Sequence, residues 1–457
     1  MGAGRRISQF VMVFAAAGSL AMVPAAARDV ATNVSTTAAV RQTSSHSLQR
    51  KQHTIAEEDT SDPDLSKAEG LIQKQNLAEA EPLLRKVVEK DPQNYVAWFD
   101  LGFVENGLGK TDESIAAYRK SVAAKPDVFE SNLNLGLQLA KAGDAEAEKF
   151  LRAAAQLKPT SHVAEGQARA WLSLAHLLEK SNPEAAIAAY EKAASLQPKN
   201  IEPHLSAGLL LENQNKTADA EREYKQAQQI DPASADAAIG LANIYMRGRQ
   251  FLDAEAELRK VLAAHPDQAA ARIQLGRVLA AQGKNDQAIS ELDEGAKQAP
   301  NDVSVQRDLA DLYYLAGKND QAEKAYRDLV AASPNDPELH RSLGQTLLRT
   351  KKFPEAQQEF LASIKIKPDL GAAYGDLAFA ASENKNYPLV IKALEARAKL
   401  MPEIPLTYFL RASAYDHLRD VKQAAANYHL FLQAANGKYP DQEWQAKHRL
   451  VALEPKR

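Results

Sequence analysis

Few stretches of this 457-residue chain hold residue types at spacings that could do chemistry. The richest runs from Asn243 to Arg349. It contains Asn243 and Arg247 four residues apart, then Arg277, then Arg307 with Asp311 and Tyr314, then Arg341 with Gln345 and Arg349. A guanidinium is a planar fork of donors that takes a carboxylate in two parallel hydrogen bonds, so arginines in a row suit the capture of acidic groups. A second set is apolar. Phe99 and Phe103, Leu133 and Leu137, and Leu205 and Leu209 are each four residues apart, which puts both members on one face of a helix. Such rows make a groove for an apolar peptide or helix. Both sets have a structural alternative. The Phe and Leu pairs can pack against the next helix, and the arginines can be solvated or paired with nearby carboxylates. Asp311, at i+4 from Arg307, is placed for such a pair.

Other chemistries find little support. Gly109-Lys110-Thr111 looks like the end of a phosphate-binding loop, but Val104 stands where that loop needs glycine, and a helix rather than a strand precedes it. The ten histidines show no H-E-x-x-H spacing and no cluster with carboxylates. With no cysteine, disulfides, thiolate metal sites and cysteine nucleophiles are excluded. No G-x-S-x-G or G-x-G-x-x-G occurs, although a dispersed Ser-His-Asp set stays open. A net charge of -3 argues against nucleic acid as the partner.

The elements that must position these residues follow from a strict period. Prolines at 92, 126, 159, 198, 232, 266, 300, 334, 368 and 402 step by 34, 33, 39 and then 34 six times running. Low aromatic content and frequent alanine favour close-packed helices. Each period holds two helical stretches. The first carries a small residue at a fixed place, for example Gly102, Gly208, Gly276 and Gly344. The second carries a small residue and, four later, a large one, such as Ser114 with Tyr118 or Ala220 with Tyr224. Small residues let two helices approach, and the large side chain fills the space beside them. Proline closes each unit because it disfavours helix in the residue before it.

The unit "WFDLGFVENGLGKTDESIAAYRKSVAAKP", with Trp98, Leu101, Gly102, Tyr118 and Pro126, resembles the tetratricopeptide repeat, and the resemblance covers about 61–436. It implies an all-α fold, a right-handed superhelical solenoid of about eleven helix-turn-helix units over 61–437, with a capping helix and tail over 438–457. The capping helix is expected from Asp441 to Leu453, with Asp441 as N-cap and Trp444, Leu450 and Leu453 buried. Between Pro159 and Trp171 the chain is about six residues longer than its counterparts, so the helix carrying Trp171 is expected to start early. The resemblance also implies a non-catalytic scaffold or adaptor without cofactor. Such a protein binds a peptide or partner helix on the concave face lined by the first helix of each unit. There the 243–349 set would form an arginine-rich groove for an acidic or C-terminal carboxylate group, and the Phe/Leu set an apolar one. The family's known carboxylate clamps rely on lysines that are few here.

The chain opens with Arg5 and Arg6, an apolar run from Phe10 to Val23, and Ala25-Ala26-Ala27. This is the pattern of an export signal cleaved after Ala27, with an uncleaved membrane anchor as the alternative. Residues 28–60, rich in Ser, Thr and Gln, are expected to form a disordered leader. A periplasmic or secreted location follows, and exported relatives suggest an alternative role in envelope polysaccharide export or outer-membrane assembly. Finally, "GKNDQA" occurs at Gly283–Ala288 and Gly317–Ala322. It is expected to be an inter-helix turn in which glycine ends one helix and Asn285 or Asp286, like Asn319 or Asp320, caps the next.

Overall fold

The computed structural model describes residues 62–300 and 302–454. The export signal expected over 1–27 and the leader over 28–60 lie outside the described residues. Contacts divide the rest into two units meeting at Pro266 and Asp267. The first holds six helix pairs: α1 (Pro63–Gln73) with α2 (Leu77–Lys90), α3 (Tyr95–Gly107) with α4 (Thr111–Ala124), α5 (Phe129–Ala142) with α6 (Ala147–Gln156), α7 (Val163–Leu178) with α8 (Pro183–Leu196), α9 (Glu202–Asn213) with α10 (Thr217–Ile230), and α11 (Ala235–Arg247) with α12 (Phe251–Ala264). The second holds five pairs: α13 (Ala269–Ala281) with α14 (Asn285–Gln298), α15 (Val303–Leu315) with α16 (Asn319–Ala332), α17 (Pro337–Arg349) with α18 (Phe353–Ile366), α19 (Gly371–Glu383) with α20 (Tyr387–Leu400), and α21 (Pro405–His417) with α22 (Val421–Ala435). A last helix follows, α23 (Pro440–Leu453). Among the described residues the fold is all-α. Each helix packs on its own partner and, within each unit, on the pair that follows.

The small and large residues of the period meet as spacing requires. A Cβ added at Gly276 would lie 2.6 Å from Leu292 Cγ, one at Gly208 would lie 2.8 Å from the Tyr224 ring, and one at Gly344 would lie 2.6 Å from the Phe360 ring. In these pairs the glycine of the first helix therefore accepts the large side chain of its own second helix. The helix axes come closer than any Cβ would allow. Tyr118, Tyr190, Tyr326 and Phe360 are among the largest fully buried side chains.

The turns are equally regular. Gly283 and Gly317 take φ of 76° and 72°, a left-handed conformation that glycine adopts without strain. The capping expectation is corrected, however. The Ala288 N–H donates to the Lys284 carbonyl, so Lys284 is the N-cap and Asn285 already lies in the helix. Lys318 stands likewise before Asn319, and neither lysine caps through its side chain. A lysine here serves a different contact. Lys110 reaches Glu81 at 2.7 Å, Lys318 reaches Asp286 at 2.8 Å, and Lys352 reaches Glu323 at 2.8 Å, each acceptor being on the second helix of the preceding pair. The prolines follow the second helices, and several of their carbonyls are met six residues on. Trp98 Nε1 donates to Pro92 O at 2.9 Å, Asn132 Nδ2 to Pro126 O at 2.8 Å, and Tyr374 OH to Pro368 O at 3.1 Å.

The inserted segment does lengthen its helix: α7 runs for 16 residues. The backbone N–H and Oγ1 of Thr160 both donate to Glu130 Oε1, at 2.9 and 2.8 Å, and Gln167 Nε2 donates to Leu157 O at 3.0 Å, which pins the extra turn to α5 and α6. At the far end, α23 begins at Pro440 with Tyr439 as N-cap, in place of Asp441. Ala446 and Leu450 pack with Phe409, Tyr428 and Phe431, and Leu453 is partly buried beside them. Trp444, expected inside, is 66% exposed and stacks on His448. It lies two residues before Ala446, on the opposite side of the helix.

The first-helix face as candidate partner site

First helices of adjacent pairs touch within each unit, among them α1 with α3, α5 with α7 and α9 with α11, and then α13 with α15 and α17 with α19. Their shared face carries the residues singled out from sequence. In the first unit the apolar set divides. Phe99, Leu133 and Leu205 are buried inside the pairs, Phe99 against the Tyr118 ring with centroids 5.7 Å apart, so these three pack the core and do not line an open groove. Phe103, Leu137 and Leu209, one turn on, stay partly exposed. Asn243 is also partly exposed, and Arg247 forms an ion pair with Glu212 of α9. Tyr224 OH donates to the same Glu212 at 2.8 Å, and burial holds that carboxyl above its ordinary range despite both partners.

In the second unit the arginines are held by carboxylates of the following pair. Arg277 Nε donates to Asp308 at 2.7 Å and its Nη2 to Ser304 Oγ at 2.9 Å. Arg307 meets Asp336, the N-cap of α17, at 2.5 Å. Arg341 Nε donates to Asp376 at 2.7 Å, and Gln345 Nε2 donates to the same oxygen at 3.0 Å. Burial raises Asp308 and Asp376 even beside their arginines. Burial opposes ionisation of Asp336 too, yet Arg307 and the Leu339 and Glu338 amides keep it below the ordinary range. Asp311 does not serve Arg307 at i+4; it accepts from Tyr326 OH and is raised by burial. Arg349 lies over the Tyr314 ring, 3.5 Å from its centroid, and donates to the Tyr314 carbonyl. The structure thus brings Tyr314 and Arg349 together, and Arg341 with Gln345, as parts of seams between pairs.

Sequence reasoning missed the partners Glu212, Asp308, Asp336 and Asp376. The signal was an opposite charge 29 to 35 residues away, about one period, where the search looked four residues away. The tyrosines of the second helices were read as packing residues alone. Tyr190, Tyr224 and Tyr326 also send their hydroxyls to carboxylates of their own pairs: Glu179, the C-cap of α7, Glu212 on α9 and Asp311 on α15.

Helix hairpins repeated on a 34-residue beat, with a small-to-large contact inside the hairpin and first helices that touch their neighbours within each unit, define a helical-repeat solenoid. Two tetratricopeptide repeat models match it, one at residues 65–128, 107–162 and 176–235, the other at 214–267, 248–312, 279–346 and 313–382. The chain belongs to the tetratricopeptide repeat family, whose members are generally protein-interaction scaffolds. No curated protein sequence matches it. Among solved structures it is similar to YrrB, described as a tetratricopeptide repeat protein with an unusual peptide-binding site (22% identity, 40% of this chain and 95% of that one, TM-score 0.37). It is also similar to a tetratricopeptide repeat protein from Parabacteroides merdae (19%, 55% and 98%, TM-score 0.40) and to yeast Tom70 (16%, 86% and 95%, TM-score 0.33).

Proposed function

We propose that this protein is a non-catalytic scaffold that holds an extended peptide or helix of a partner protein against its first-helix face. The observation that carries the reading is the partly exposed row Phe103, Leu137 and Leu209 on α3, α5 and α9. Apolar side chains repeated on several first helices offer alternate pockets to one extended ligand. A photo-crosslinking residue at Leu137 should capture partner protein, whereas one at Lys260, on the second helix α12, should not. Equal capture at both positions would overturn the reading.

The N-terminal pattern of Arg5, Arg6, the apolar run and the Ala25–Ala27 site supports export, with the scaffold working in the periplasm or outside the cell. No described helix is long and apolar enough to cross a membrane. Mass spectrometry of the mature chain should find Arg28 at its N-terminus, and an intact N-terminus on cytoplasmic protein would refute export.

A further inference from the structure

Asparagine followed by glycine can modify itself. The backbone nitrogen of the glycine attacks the side-chain carbonyl carbon of the asparagine. An N–C bond closes a cyclic imide, and the side-chain nitrogen leaves as ammonia. Water then opens the imide at either carbonyl. One opening gives aspartate. The other gives isoaspartate, in which the backbone runs through the former side chain and is longer by a methylene. Glycine favours closure because no Cβ crowds the attacking nitrogen. The sequence holds this dipeptide twice, at Asn106-Gly107 and at Asn436-Gly437.

The fold separates the two copies. Asn106 and Gly107 are the last residues of α3, where the hydrogen-bond ladder holds the backbone helical. Gly107 also lies against Leu77 of α2, which a Cβ there would strike. Its nitrogen can reach the Asn106 side chain only if the end of α3 opens. Asn436 and Gly437 lie in the turn after α22, and both are exposed. Asn436 takes φ 44° and ψ 50°, and Gly437 takes φ 78°, so the chain leaves the helix through consecutive left-handed residues. Among the described residues, neither the Asn436 side chain nor the Gly437 N–H has a hydrogen-bond partner. One bond crosses the turn, from the Lys438 N–H to the Ala435 carbonyl at 3.0 Å. Rotation about the Asn436 Cα–C bond, which brings the Gly437 nitrogen onto the side-chain carbonyl, is opposed by little else.

We propose that Asn436 is a site of spontaneous deamidation and isoaspartate formation, and that the longer backbone unseats α23. Residues 436–438 alone join Ala435 to Tyr439, and both ends are fixed in the aromatic cluster under the cap. Ala435 is fully buried, and the Tyr439 ring centroid lies 6.2 Å from that of Phe431. An extra backbone atom in so short a bridge moves one end or the other. The end that gives is α23, whose outer face, with Trp444 and Val451, is exposed. Tyr439 is its N-cap, so the displacement enters at the first turn and is carried to Ala446 and Leu450.

The test ages the full-length protein in mildly alkaline buffer, where more of the glycine amide is deprotonated, and digests it for mass spectrometry. Peptides with Asn436 should show the mass change of an amide becoming an acid and should separate into aspartyl and isoaspartyl forms. Peptides with Asn106 should convert at least about tenfold more slowly, because the end of α3 must open first. In urea the two should convert alike. Aged wild type should melt at lower temperature and self-associate, whereas aged Asn436→Gln, whose longer side chain closes the ring poorly, should keep its midpoint. Fresh Asn436→Asp carries the new charge without the longer backbone and should melt like fresh wild type. An Asn436 peptide that keeps its amide, or equal rates at both sites in the folded protein, would overturn the site. An isoaspartyl form with an unchanged midpoint, or an Asn436→Asp midpoint as low as that of the aged protein, would overturn the effect on the cap.

Discussion

Gly276 shows how much of this molecule is decided by single atoms. Its absent side chain is the space that Leu292 occupies, with the Ala288 carbonyl 3.2 Å from where a Cβ would sit. Gly276→Leu should cost about 1–3 kcal/mol or more through overpacking, read as a lowered melting midpoint; an unchanged midpoint would refute the helix register. Asp100 makes a second case. It is buried on α3, and burial pushes its carboxyl well above the ordinary range, with Glu69 adding to the rise. A carboxyl that binds its proton more tightly when folded stabilises the fold at low pH, and that contribution is lost as pH rises through the folded value. Lowering the pH from about 7 to about 5 should therefore add stability through this group, by at most about 1.4 kcal/mol per unit. Melting curves across that range should show the gain in wild type and its loss in Asp100→Asn.

The helices were legible because their code is redundant. The small-to-large contact, with glycine or alanine as the small member, recurs in pair after pair, so the period emerges even where one unit departs from it. The residues on the shared face were half legible. Of the residues the four-residue step drew together, Phe103, Leu137 and Leu209 are partly exposed, whereas Phe99, Leu133 and Leu205, one turn earlier, are turned inward. The ion pairs of Arg277, Arg307 and Arg341 were hidden because their acceptors sit on another pair, and local spacing cannot report a contact made by stacking. The lengthened α7 was readable as a break in the beat, whereas its brace was not. Glu130, only 6% exposed, looks like an ordinary helix residue in sequence. Glu130→Ala should release the extra turn, leaving amide exchange at residues 160–166 markedly faster and costing about 1–3 kcal/mol for the lost buried acceptor. Protection equal to wild type would show that α7 needs no brace.

A stack of pairs is stable only where each open end is covered. In the second unit α23 does this for the last pair, with Ala446 and Leu450 over Phe409, Tyr428 and Phe431, while Arg449 holds Asp416 through two hydrogen bonds of 2.7 Å. Removing residues 438–457 should uncover that aromatic cluster. The shortened protein should melt at lower temperature and self-associate in sedimentation runs, and a monomer of unchanged stability would mean that α22 is sufficient as an end. Side chains that leave the repeat pattern were less accessible to sequence reasoning than the architecture.

The lysine at the turn of a pair, gripping an acid on the pair behind, has a consequence for how such a chain can change its length. A block of 34 residues copied whole carries both the cation for its predecessor and the acid for its successor, as Lys318 and Asp286 illustrate, one on each of the two "GKNDQA" turns. Duplication or loss of a complete block of this kind therefore leaves that contact matched. An insertion of any other size breaks the correspondence unless the surplus is folded away, which is what the extra turn of α7 achieves. The array is built to grow by copying, and its 39-residue step from Pro159 to Pro198 marks where a different kind of change was absorbed.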